Sequence, residues 1–497
     1  MRTAGDSQVL ARNVLHNPRV PVLAAPPIPA APPTTLSAGH TGFAHGTALL
    51  QGWLPPTVEA VAAIALGLAI ARITKRWWLI QLPVCLLVGV GAALLARWYV
   101  HDQGLSSDPA PTALWLCVAA VATASAVTVV GWPRTPWWRR GVALLAIPLT
   151  LLSAALVVNQ WVGYYPTVQA ALNAFTAGPL PHETDEAGLA TLRGTDIETG
   201  RVVPVQIPED DSHFAHRTEY VYLPPAWFTG PTPPALPVVM MIGGEFNTPA
   251  DWLRSGQIMP TVDKFTAEHA GQAPIMVFVD ASGSFNNDTE CVNGPRGNAA
   301  DHLTEDVPKY VESTFGASTD PAKWAAVGWS MGGTCAVDLA VTHPELLHTF
   351  VDIAGDLGPS TGDHEHTVAR LFGGDERRWA EFDPSTVMAA HGPYTQVAGL
   401  FDDLTPPRAA AQPPRGPHPP PVEVADADAG IGGRDAVPDT GEVGAAETLC
   451  ARGRSVGIDC AIHTTEGEHT WQFAAESFTS SLPWLTERLG LAAPPTR

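Results

Sequence analysis

Hydrophobic positions along this chain fall into two regimes. From residue 57 to 161 they run almost unbroken in four stretches, at 57–73, 77–97, 113–132 and 142–161. Each is about as long as the roughly 20 residues an α-helix needs to cross a bilayer. The first stretch is interrupted by Glu59. Trp53, Trp77, Trp78, Trp98, Trp132, Trp137, Trp138, Trp161, Tyr164 and Tyr165 gather at the ends of the stretches. Such clustering marks a membrane interface. A soluble helical bundle is the alternative, but four runs with short connections point to spans.

From Gly200 the period changes. Arg201 to Ile207 and Thr218 to Leu223 alternate like strands, and Leu236 to Ile242 and Ile275 to Val279 are fully apolar runs. Trp324 to Trp329, Phe350 to Ala354, Gln396 to Phe401 and Asp459 to Thr464 complete the strands. Helical patterns lie between and after them, at Leu303 to Thr314, Thr334 to Thr342, Ala445 to Ser455 and Ala474 to Leu489. Strands alternating with helices predict an α/β fold with a mostly parallel sheet covered on both faces. Residues 404–444, rich in Pro, Gly and Asp, break the pattern and read as a flexible insertion. The organisation expected is a Pro/Ala-rich disordered tail at 1–50, four spans at 51–165, a connector at 166–199 and an α/β domain at 200–497.

Charge orients the spans. Arg72, Lys75 and Arg76 lie in the first connection and Arg134, Arg139 and Arg140 in the third. The second connection has no Lys or Arg, and none follows the fourth span until Arg193. Basic loops stay in the cytoplasm, so the α/β half is expected outside a cell membrane crossed several times. The formal net charge of −21 argues against nucleic acid as a partner. Among the six cysteines, Cys85 and Cys117 fall in apolar segments. Cys450 and Cys460 could pair outside the cytoplasm, and a buried free thiol is the equal alternative for these two, Cys291 and Cys335. No cysteine spacing fits a zinc motif, and neither a metal nor a cofactor is expected.

The chemistry centres on Gly328-Trp329-Ser330-Met331-Gly332-Gly333, where a buried strand turns sharply into a helix. This is the nucleophile elbow, Gly-x-Ser-x-Gly. An ordinary loop serine is the alternative, but the apolar strand before it and the helix former after it favour the elbow. A serine hydroxyl needs a base, and the base needs a carboxylate. With the chain order Ser, acid, His, the base is His469, in the loop between the last strand and the last helix. His463 lies within that strand and reads as structural. The acid is Asp402, with Asp403, Asp356 or an aspartate of the insertion as alternatives. The oxyanion donors are the N–H groups of Met331 and Gly244, the latter at the end of Met240-Met241-Ile242-Gly243-Gly244.

These pieces resemble a known family. Ile242-Gly243-Gly244 ahead of Asp251-Trp252, the loop Asp280 to Cys291, the elbow, and Gly467-Glu468-His469-Thr470-Trp471 look like the esterase group that includes esterase D and the actinobacterial mycolyltransferase antigens. The resemblance covers roughly 200–490 and is poorest around the acid. It implies an α/β-hydrolase fold and hydrolysis or transfer of an acyl ester at the cell envelope, with lipid or acyl-ester substrates. A catalytically silent binding protein on the same scaffold is the rival, and a transporter is disfavoured by the scarcity of polar residues in the spans.

Overall fold

In a computed structural model of the chain, which describes residues 46–103, 110–176, 178–405 and 441–491, the apolar stretches are helices. They are α1 (Leu54–Ile70), α2 (Leu82–Gln103), α3 (Thr112–Gly131) and α4 (Trp137–Val162). A wider turn, Trp77–Gln81, leads into α2. Among the described residues, three helices are long and apolar enough to cross a membrane: Trp77–Asp102, Thr112–Gly131 and Trp137–Val162. Leu54–Ile70 is apolar but shorter, at 17 residues. The expected tail lies largely outside the described residues, as does most of the expected insertion.

The helices wear their large apolar side chains outward. Leu79, Leu87 and Val129 are 70–75% exposed, the inverse of a water-facing bundle. Small residues face inward, where Ala119 and Thr123 of α3 leave no room for a Cβ at Gly89 of α2. Such close backbone approach is how helices associate without a hydrophobic drive. Arg72, on one end of the bundle, donates to the Gly131 carbonyl at 3.1 Å and lies over Trp77. The Arg139 guanidinium donates to Ala71 at the same end.

The second half is an eight-stranded sheet. Its strands are β1 (Arg201–Val205), β2 (Glu219–Leu223), β3 (Val238–Ile242), β4 (Ile275–Val279), β5 (Trp324–Trp329), β6 (Thr349–Ile353), β7 (Ala398–Thr405) and β8 (Asp459–Glu466). Their order is β1-β2-β4-β3-β5-β6-β7-β8. The pairings of β2 are antiparallel and the rest are parallel. This is the α/β-hydrolase fold expected. Every residue of β3 and β4 is buried, because helices cover both faces of the sheet. One face packs on Val307–Phe315, α5 (Met331–Thr342) and α6 (Gly441–Ser455), the other on Met259–Glu268 and α7 (Trp471–Arg488).

The strand expected to end at Phe401 runs on to Thr405. Asp402 and Asp403 therefore stand in the ladder, opposite His463 and Thr464, and not in a loop beyond it. The cause is β8, whose own extension to Glu466 supplies hydrogen-bond partners that the β7 pattern alone does not reveal. Two disulfides close the half. Cys450–Cys460 ties α6 to β8, and Cys291–Cys335 ties the loop after β4 to α5, each with Cα atoms 5.7 Å apart. Cys85 and Cys117 are free thiols. Among the described residues, everything from residue 46 onward belongs to one compact unit.

Candidate active site

Ser330 joins β5 to α5 with φ 58° and ψ −123°. A non-glycine residue held there stores roughly 1–3 kcal/mol of strain. The surroundings hold it: the Ser330 N–H donates to the Ile353 carbonyl at 2.9 Å, and its own carbonyl accepts from Gly333 at 2.7 Å. The elbow needs its glycines for space. A Cβ at Gly328 would lie 1.6 Å from the Gly332 carbonyl oxygen, and one at Gly332 would lie 2.5 Å from that of Ile242. Met331 is the first residue of α5, so its N–H is among those a helix start leaves unsatisfied. The partial positive charge there favours an anion.

Ser330 and His469 line one cavity of about 370 Å³. Their elements converge because β5 and the β8–α7 loop both end at the same edge of the sheet. The His469 ring lies against Trp329, with centroids 4.1 Å apart. Thr470 caps α7 and closes the loop, its hydroxyl accepting from the Phe473 N–H. Asp356, Asp288 and Glu290 line the same cavity.

Asp402 is brought to a different histidine. Its carboxylate meets His463 Nδ1 at 3.1 Å and accepts from Ser480 Oγ at 3.4 Å. Burial raises its pKa, while His463, Ser477 and Ser480 oppose the rise. Asp403 is equally buried and, by strand alternation, faces the other way. Asp356 stands in the cavity wall with its N–H on Thr334 Oγ1 at 2.9 Å. The aspartates of residues 406–440 lie outside the described residues.

Gly244 sits against the nucleophile: a Cβ there would come within 3.1 Å of Ser330 Cβ. Its N–H, however, donates to Asn247 Oδ1 at 2.7 Å. The expected oxyanion donor is therefore already engaged in this conformation. Asn247 is held in turn. Its Nδ2 donates to Tyr164 Oη at 2.8 Å, and Tyr164 donates to Asp251 at 2.8 Å. Burial, then the charge of Asp251, raises the Tyr164 pKa, so the phenol keeps its proton. Arg217 grips the Asn247 carbonyl at 2.8 Å while pairing with Asp280 at 2.6 Å. A short polar side chain three residues past a Gly-Gly turn is the only sequence signal for this latch.

Sequence reasoning also missed the acidic end of the cavity. Burial pushes Asp288 up to about 6, against the pull of Arg296. Burial also drives Glu290 well above its ordinary range, and Asp288, Asp356 and Glu245 push it further. Buried carboxyls near other carboxylates hold their protons to higher pH than usual, so this end of the cavity can donate as well as accept hydrogen bonds.

His216, Glu219 and His302 have the spacing of a metal site. Their ring nitrogens already have partners. His302 meets Glu219 at 3.1 Å and Asp306 at 3.3 Å, and His216 faces the carbonyls of Arg217 and Ile207. Burial alone would lower the His302 pKa, but Glu219 and Asp306 outweigh it and raise it. An imidazolium between two carboxylates supplies the positive charge a metal would bring.

Residues 215–402, which hold β2 to β6, the first part of β7 and the elbow, match the family model described as Putative esterase. Over this stretch the chain is similar to that esterase family. It is a serine hydrolase of carboxylic esters. The esterase is 27% identical over 442 residues to an uncharacterized protein of Corynebacterium glutamicum, covering 86% of this chain and 94% of that one. That span exceeds the α/β half, so the likeness reaches into the helices. Among solved structures it is similar to an S-formylglutathione hydrolase from Agrobacterium tumefaciens, at 20% identity and TM-score 0.43, over 59% of this chain and 97% of that one. It is also similar to MPT51 of Mycobacterium tuberculosis, at 19% identity and TM-score 0.38, over 58% and 98%.

Proposed function

We propose that the chain is a membrane-anchored serine esterase or acyltransferase, with its catalytic half outside the cytoplasm, acting on acyl esters of the cell envelope. The observation that carries the reading is the strained Ser330 facing a cavity it shares with His469. Basic residues at the bundle end marked by Arg72 and Arg139, and two disulfides in the α/β half, support the orientation. In this organisation residues 1–50 are a tail, 51–165 the anchor, 166–199 a connector and 200–497 the hydrolase.

Ser330 Oγ attacks the ester carbonyl while His469 takes its proton. The tetrahedral oxyanion is held by the Met331 N–H, and by Gly244 once Asn247 releases it. His469 then protonates the leaving alkoxide, and an acyl-enzyme remains. Water, or a sugar hydroxyl bonded to the acidic end of the cavity, gives its proton to His469 and attacks the acyl carbon; His469 passes that proton to Ser330 Oγ as the acyl–oxygen bond breaks, freeing Ser330. We assign Asp403 to orient His469, because the Asp402 oxygens already serve His463 and Ser480. Ser330→Ala should reduce turnover of p-nitrophenyl acetate by roughly 10³-fold or more. Undiminished turnover would remove the mechanism.

The engaged Gly244 amide favours one other reading, a hydrolase scaffold kept for binding. A fluorophosphonate probe decides between them: labelling at Ser330 excludes the silent scaffold.

A further inference from the structure

The wall of the Ser330 cavity nearest the helices is made by the last turn of α4, through Val158, Trp161 and Val162. These positions, i, i+3 and i+4, share one helix face. The same face continues down the helix at seven-residue steps, with Leu151 58% and Leu144 50% exposed. An unbroken apolar stripe thus climbs from the middle of a 26-residue span into the chamber that holds the nucleophile.

The end of α4 is fixed to the catalytic loops. The Gly163 carbonyl accepts from Gln472 Nε2 at 2.9 Å. A Cβ at Gly163 would lie 2.4 Å from Thr470, the neighbour of His469. Tyr164 holds the Asn247 latch and meets Trp471 edge-on at 6.3 Å. Asn159 exchanges two hydrogen bonds with the Tyr165 backbone, at 2.7 and 2.9 Å. The same cavity is also lined by the carboxyls of Asp288, Glu290 and Asp356. A chamber lined by both suits a molecule that carries an apolar chain and hydroxyls.

We infer that Val158, Trp161 and Val162 are the acyl-chain wall of the esterase, and that its substrate is a bilayer lipid ester whose chain slides along the α4 stripe to Ser330. The inference rests on the serine-esterase reading and names its substrate class. An apolar chain that leaves lipid for an apolar wall crosses no water, whereas a charged or short acyl group gains nothing from the stripe.

The test uses the full chain in lipid nanodiscs, with p-nitrophenyl acetate and p-nitrophenyl palmitate as substrates. Val158→Trp should lower the palmitate-to-acetate ratio of kcat/KM by about tenfold or more, mostly through KM, since several buried methylenes lose their place. Trp161→Ala, a milder change, should move the same ratio by severalfold. Leu87→Trp, on the outward face of α2, should leave it as in the wild type. A short-alkyl fluorophosphonate monitors Ser330 in each protein. If both cavity variants label normally and keep the wild-type ratio, the inference is overturned while the serine mechanism stands. If wild-type Ser330 does not label, the catalytic reading falls first.

Discussion

The helical region and the hydrolase half solve opposite problems with the same residue types. In the hydrolase half, valines, methionines and phenylalanines of β3 and β4 are fully buried. Several charges inside are paired, as in Arg217–Asp280 and Glu219–His302–Asp306. In the helical region leucines face out, and the interior is lined by Ala124, Ala146, Thr150 and Ser153. Those hydroxyls are satisfied by carbonyls of their own helix, Thr150 on Ala146 and Ser153 on Leu149. The medium around each half decides which face is apolar. The two logics meet at Gly163 and Tyr164, where a helix with an outward apolar face ends at the Ser330 cavity.

The comparison can be broken at several points. The largest effect should come from the acid of the hydrolase half. Asp403→Asn should lower kcat on p-nitrophenyl acetate by up to about 10⁴-fold, and Asp402→Asn by far less. The reverse order would return Asp402 to the catalytic group. His302→Ala leaves Glu219 and Asp306 buried without their cation, which should destabilise the hydrolase half by about 3–5 kcal/mol in denaturant titrations. Leu87→Ala, on the outward face of α2, should stay within about 0.5 kcal/mol. A comparable loss at both sites would mean that the two regions do not differ as described. Cys291→Ser should cost about 2–4 kcal/mol, measured the same way, and more than Cys450→Ser, because it opens the longer loop, 44 residues against 10.

The smallest effect concerns pH. Asp288 titrates near 6 when folded, above its unfolded value. The folded state thus holds this proton more firmly. The associated stability is full below about pH 4 and is lost as pH rises through 6. Asp288→Asn should flatten that decline and raise the melting temperature at pH 8 by a few degrees relative to wild type. An unchanged slope between pH 4 and 7 would show that another group carries it.

Much of this was legible in one dimension. Four apolar stretches announced helices because a bilayer-length run has few other uses, though α1 proved shorter than a full span. The strand pattern announced the sheet, and the strained Ser330 was readable because a Gly-x-Ser-x-Gly turn has one stereochemical solution. That His469 lines the Ser330 cavity was readable from its loop between the last strand and the last helix. Which of Asp402 and Asp403 turns toward His463 was not legible: two adjacent aspartates differ only in which way the strand points them, and the extension of β8 set that. The Asn247 latch on Gly244 was invisible, since it depends on a tyrosine 83 residues away.

What the residues determined alone are features set within a few positions: periodicity, turn geometry, the chemical type of each loop. The tertiary structure decided which distant groups share a space. It paired Cys291 with Cys335, pressed Asp288 against Glu290, and laid the end of α4 along the nucleophile's cavity. Local order follows from backbone sterics and solvent preference, which act along the chain. Proximity across the fold follows from how the layers pack, and no short stretch of sequence carries that.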